Sequence, residues 1–177
     1  MVSMRQTIHA RIERPHAMKR TALLTLCALA VLPLAACSSK KPAAESYSAN
    51  LSAYNHTEDY IHEFYVDGAG GGNSRPYGGG GSFVCCISYP AQWRPGLSAT
   101  VEWTTSSGIP GDTRPEAIKP TWHKRVVSID RYDVPGSTLN VHFLSEGDVR
   151  LVISSKGSGA KGYPGPDYPM KPPSWKW

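Results

Sequence analysis

Seven short segments rich in Val, Ile, Tyr, Phe and Thr, cut apart by clusters of Gly, Pro, Asn and Asp, constrain this chain more than any other feature. They run over residues 51–56, 60–66, 82–89, 97–105, 122–132, 137–144 and 149–154. β-Branched and aromatic side chains fit a pleated, half-buried surface, and the turn residues between them stop each run before it lengthens. No stretch repeats its apolar residues with a helical period. Leu139, Val141 and Phe143 instead alternate with Asn140, His142 and Leu144, and Val149, Leu151 and Ile153 with Arg150, Val152 and Ser154. Glu146-Gly147-Asp148 between these two runs reads as a hairpin loop. An all-β, antiparallel two-sheet sandwich of immunoglobulin-like size buries such faces economically.

Ahead of these segments lies Leu34-Ala35-Ala36-Cys37, behind Met18-Lys19-Arg20 and an apolar run over residues 22–32. A basic start, an apolar core and small residues at the cut make a secretory signal. A cysteine at the cut is the lipid-modification site of a bacterial lipoprotein, an ordinary signal peptide cut nearby being the alternative. The apolar run is well short of the ~20 residues that cross a bilayer, and it ends at Pro33. Met18 is the expected start, because Arg5, Arg11, Glu13, Arg14 and Pro15 precede a leader that is already complete. Removal of residues 1–36 leaves 141 of 177, enough for one domain: a lipidated tether over 37–50, the sandwich over 51–155 and a proline- and aromatic-rich tail over 156–177. Each buried acyl methylene contributes ~0.8 kcal/mol, so more than one chain on Cys37 anchors the protein to the membrane stably. Ser38 and Ser39 follow with no aspartate, which by the usual sorting of lipoproteins directs the chain to the periplasmic leaflet of the outer membrane.

Cleavage also removes the basic excess. Five of the 19 Lys and Arg and one of the 14 acids precede Cys37, leaving 14 against 13, with no basic block longer than Lys40-Lys41 or Lys124-Arg125. A nucleic-acid partner has no electrostatic footprint here. Catalytic patterns fail as well. His62-Glu63 would open H-E-x-x-H, but position 66 is Val on a strand, and no G-x-S-x-G occurs. His56, His62, His123 and His142 share no ligand spacing and read as surface or strand-edge residues, and Glu58-Asp59 as solvated turn residues. No catalytic residue, metal or cofactor is expected. Cys85-Cys86 would point to opposite faces of a regular strand, which favours one thiol in the core and one nearer the second face. A vicinal disulfide, or a redox role for the pair, is the alternative, although the C-x-x-C of redox sites is absent.

Two stretches stand outside the strand pattern. Gly68-Ala69-Gly70-Gly71-Gly72-Asn73 and the glycines at 78–81 bracket Ser74-Arg75-Pro76-Tyr77 without the spacing of a phosphate loop. This reads as a mobile loop, or as a binding loop with Arg75 and Tyr77 at its tip. The tail, with five prolines among Tyr163, Tyr168, Trp175 and Trp177, reads as an extended strap covering a sheet edge, or as a strip that a partner binds. Aromatic and Arg side chains anchor interfaces, so Arg75, Tyr77, Trp93 and Arg94 are the candidate partner-binding residues. Trp93, Trp103 and Trp122 serve equally well as core, Trp103 by preference.

Tyr54-Asn55-His56-Thr57, Val66-Asp67-Gly68, the glycines leading to Cys85-Cys86, Pro90-x-x-Trp93-x-Pro95-Gly96-Leu97, Val101-x-Trp103, Tyr132-x-Val134-Pro135-Gly136 and Val141-His142-Phe143 together resemble a family of short proteobacterial lipoproteins grouped as a domain of unknown function. The resemblance runs over about residues 50–155. Members of that family often stand beside phospholipase effectors of the type VI secretion system. The resemblance therefore implies an immunity protein that binds and neutralises such an effector. A lipase delivered to the periplasm attacks envelope phospholipid, so its antidote must be exported, stand at the membrane and act by binding. A structural or assembly lipoprotein of an envelope complex is the alternative. An enzyme acting on wall or lipid is a third reading, without a catalytic set behind it.

Overall fold

The computed structural model describes residues 45–175. The leader, Cys37 and Lys40-Lys41 lie outside the described residues. All seven expected segments are strands, joined by two short additional ones. In chain order they are β1 (Ser46–Asn55), β2 (Asp59–Val66), β3 (Ala69–Gly70), β4 (Gly78–Gly79), β5 (Val84–Pro90), β6 (Ser98–Ser107), β7 (Thr121–Ser128), β8 (Thr138–Phe143) and β9 (Val149–Ser154). A single turn of helix, α1 (Pro115–Ile118), interrupts the β6–β7 connection.

Alternation decides which side chains enter the core. Along β6, Ala99, Val101 and Trp103 point inward and are buried. Along β2 the inward residues are Ile61, Phe64 and Val66, a spacing that breaks the period of two. A register shift against β6 between Ile61 and Glu63 absorbs the extra residue, as a bulge does. Leu51, Leu139, Val141 and Leu151 complete the centre from the other sheet. Full burial of each such side chain is worth ~1.5–3 kcal/mol.

One sheet has β1, β8 and β9 in that order, with β4 and β5 both pairing the other edge of β1, and the second sheet runs β3-β2-β6-β7. The pairing of β1 with β8 is parallel, from Asn50 opposite Thr138 to Asn55 opposite Phe143. The sandwich is thus mixed where an antiparallel one was expected. Alternation reports which face of a strand is buried, not which way the strand runs. β8 returns to β1 only after the chain has built the second sheet, and such a crossover permits a parallel neighbour.

Four sequence expectations change on contact with this architecture. β1 begins at Ser46 rather than Leu51, because residues 46–49 pair with residues 87–90 of β5 and so belong to the sheet instead of the tether. The glycine-rich loop is pinned: Ile61 and Ser74 exchange N–H···O bonds of 3.0 and 2.9 Å, Tyr77 N–H reaches Thr57 O at 3.1 Å, and Gly80 N–H reaches Ala53 O at 2.9 Å. Gly79, at φ 144°, passes so close to β1 that a Cβ would strike the Ala53 carbonyl oxygen, which is why glycine is required there. Cys85 and Cys86 are both exposed and joined as a vicinal disulfide across a cis peptide. Their two positions face Asn50 alone across a register shift, and the bulge removes the alternation on which a buried thiol depended. Finally, the tail covers the outer face of the first sheet over Tyr54 and His142, not merely an edge.

The buried hydroxyls of Ser52 and Thr104 have no hydrogen-bond partner among the described residues. An unpaired buried polar group costs stability that an apolar isostere recovers. Thr104→Val keeps the branched shape that suits β6 and is expected to raise stability by about 1 kcal/mol, read as a higher urea midpoint at unchanged slope.

Candidate functional site

The β1–β2 turn, the β8–β9 turn and the adjoining ends of β6 and β7 enclose a cleft of about 340 Å³ at one end of the sandwich. His56, Glu58, Asp59, Trp103, His123 and Phe143 are among its walls. Asn55, the last residue of β1 and fully buried, builds the first turn. Its Oδ1 accepts from Thr57 N–H at 3.0 Å and Thr57 Oγ1–H at 2.7 Å, while its Nδ2 donates to Asp59 O at 2.7 Å. That clamp fixes where His56 leaves the strand. Across the cleft, Glu146 and Gly147 take left-handed φ values of 58° and 68°, and Leu144 N–H closes the turn onto Asp148 O at 2.8 Å. His123 lies opposite Trp103 in the β6–β7 register, stacks on its ring at 5.0 Å, and bonds Thr105 Oγ1 through Nε2 at 2.8 Å.

The rim is acidic, with Glu58, Asp59, Glu146 and Asp148 around it. Arg125 pairs with Asp148 at 3.0 Å. Partial burial raises the Asp59 carboxyl above its ordinary value, Glu58 adds to that, and His123 opposes it.

Behind the cleft sits a buried polar chain. His142 is 0 % exposed; its Nδ1 meets His56 Nε2 at 2.9 Å and its Nε2 meets the Tyr163 hydroxyl at 2.5 Å. Tyr54 stacks on the His142 ring at 4.8 Å and 12°. A single ring proton on neutral His142 serves this chain in either direction, from Tyr163 toward His56 or the reverse. Burial lowers His142 to about 3, with His56 and Arg150 acting the same way, and burial lowers His56 too. Burial, then Tyr54, pushes the Tyr163 hydroxyl well above its ordinary value. The tail is fastened over the same place: Ser158 N–H donates to Tyr54 Oη at 3.0 Å, Tyr168 Oη–H donates to Gly79 O at 3.1 Å, and Trp175 packs edge-on against Tyr77.

Both cleft histidines spend Nε2 on Thr105 or His142. Among the described residues neither bonds a carboxylate that would orient it as a base, and no three His, Cys, Asp or Glu converge on one point. The cleft sets carboxylates at its rim and aromatic rings and a hydroxyl inside.

The predicted partner residues do not form one patch. Tyr77 lines the cleft, and Arg75, two residues earlier, is exposed in a separate hollow with Tyr60 and Pro76. Trp93 and Arg94 lie at the opposite end, past the start of β1, where Trp93 Nε1–H donates to Ile129 O at 3.0 Å. Trp103 is core, whereas Trp122 is 60 % exposed on the outer face of the second sheet beside Tyr65. His142, read as a surface or strand-edge residue, is the largest miss. Its flanks Val141 and Phe143 set it on the outer face of the sheet by alternation, and Tyr163 of the tail covers it there. Its partnership with His56, 86 residues away, follows only from the parallel register that sets Tyr54 opposite His142.

His142 folds with a pKa below the 6.5 of an unfolded chain, so the unfolded state takes up the proton first. The contribution of His142 to stability is expected to be full above pH 6.5 and to fall as the pH drops toward 3, by about 2 kcal/mol at pH 5. Denaturant unfolding at pH 7 and pH 5 measures this. His142→Asn is expected to lower stability at pH 7 and to flatten the difference between the two.

No curated protein and no solved structure matches the chain. One family pattern, described as "Protein of unknown function (DUF3304)", matches residues 54–151. That span opens at Tyr54, contains His56, His123 and His142, and closes at Leu151 within β9, ahead of the tail. With more than half of its length inside the pattern, the chain belongs to this family of proteins of unknown function, DUF3304.

Proposed function

We propose that the protein is a lipoprotein of the periplasmic face of the outer membrane, held through Cys37, that binds and neutralises a phospholipase effector of the type VI secretion system. The observation that carries the reading is Leu34-Ala35-Ala36-Cys37 set directly ahead of a β domain, which stations a binding scaffold on the substrate of a phospholipase. The cleft supports it by offering recognition groups without an oriented base. The resemblance to lipoproteins encoded beside such effectors supplies the partner.

The partner's footprint is the cleft end, with Arg75, Tyr77 and the acidic rim. A standard interface covers ~800 Å² per partner, a patch roughly 30 Å across. The ten residues of β1 rise ~3.3 Å each, so Trp93 and Arg94 lie about 30 Å from the cleft end and outside that patch.

Mixing the domain of residues 38–177 with the purified effector and following phospholipid hydrolysis tests this. Inhibition is expected to saturate at a fixed molar ratio. Arg75→Glu is expected to weaken it at least tenfold, and Arg94→Glu to leave it unchanged. Undiminished hydrolysis without a complex overturns the proposal.

A further inference from the structure

The end of the sandwich opposite the cleft is built from the β5–β6 and β7–β8 connections. Trp93 is half-buried against the core, the Arg131 guanidinium lies 6.0 Å from the centre of its ring, and Tyr132 Oη–H ties the two connections together by donating to Pro90 O at 2.7 Å. Around them Arg94 is exposed and Val134 is 73 % exposed. An indole, two guanidiniums and an exposed aliphatic side chain make the combination found where proteins meet the lipid headgroup layer.

The chain itself leads from this end toward its attachment point. Ala91 N–H donates to Glu45 O at 2.8 Å, which fastens the first described residue there. Cys37 is eight residues earlier, a reach of at most ~29 Å. Charge favours the same end. Asp133 is paired with Arg131 at 3.3 Å and Arg94 offsets Glu45, so this end is close to neutral. At the cleft end and the hollow beside it Glu58, Asp59, Glu116 and Glu146 have no ion pair among the described residues and outnumber Arg75 and Lys119, so an anionic surface disfavours that end.

We propose that the surface formed by Trp93, Arg94, Arg131 and Val134 rests on the lipid headgroups, so that the cleft faces away from the membrane and into the periplasm. This rests on lipid attachment at Cys37 and adds an orientation to it: the domain stands on the bilayer instead of swinging from it, and the proposed partner face stays accessible.

The test uses the full-length protein purified from membranes, its acylation established by intact mass. It is reconstituted into vesicles of phosphatidylethanolamine and phosphatidylglycerol, and hydrogen exchange is compared with that in neutral detergent. Peptides covering 91–97 and 131–136 are expected to exchange at least fivefold more slowly on vesicles, while a peptide covering 144–148 exchanges equally in both. Arg94→Glu combined with Val134→Asp, both exposed, is expected to abolish the difference without changing near-ultraviolet circular dichroism. Acylated protein with equal exchange everywhere, or with protection at 144–148, overturns the orientation alone. Protein without acyl chains overturns the anchoring reading, and the orientation with it.

Discussion

The parallel ladder between β1 and β8 is the constraint on which the other features depend. It makes β1 a central strand, with β8 on one side and β4 and β5 sharing the other. Because the two strands run the same way, both finish at the same end of the sandwich. Their outgoing turns, carrying His56 and residues 144–148, therefore face each other across the cleft. An antiparallel pairing would send those turns to opposite ends. The same register sets Tyr54 beside His142, and the stacked rings become the platform onto which the tail is fastened.

That platform explains why a sheet with two polar residues on its outer face has no open outer face there. Asn140 and His142 are both buried, and a buried polar group must be hydrogen-bonded. Asn140 donates to Val152 O, and His142 uses both ring nitrogens. Tyr163 supplies one of those partners, so the tail satisfies a polar group of the sheet as well as covering it. Burial that stabilises the neutral imidazole makes the covered face sensitive to acid, since protonation would place a charge where water cannot reach it.

The two ends of the sandwich differ in chemistry. One gathers carboxylates around aromatic rings; the other gathers an indole, guanidiniums and an aliphatic side chain where the chain departs toward Cys37. A small rigid scaffold with unlike ends can meet two surfaces at once. In the proposed setting these are the membrane that holds the protein and the enzyme that attacks that membrane.

All seven long strands were legible in the chain, because β-branched and aromatic runs bounded by turn residues express a local preference that tertiary contacts reinforced. The core positions of β8 and β9 followed from alternation alone. The parallel direction of β8, the bulges at Ile61 and at Cys85-Cys86, the pinning of the glycine-rich loop and the His56–His142–Tyr163 chain were not legible. Arg75 and Trp93 looked alike as exposed anchors, yet they stand at opposite ends of β1. Neighbouring residues were enough to set which segments would be strand and which faces would be buried, since both preferences are local. Tertiary structure alone decided which distant residues meet, because register and strand direction are properties of pairs and no single segment contains both members.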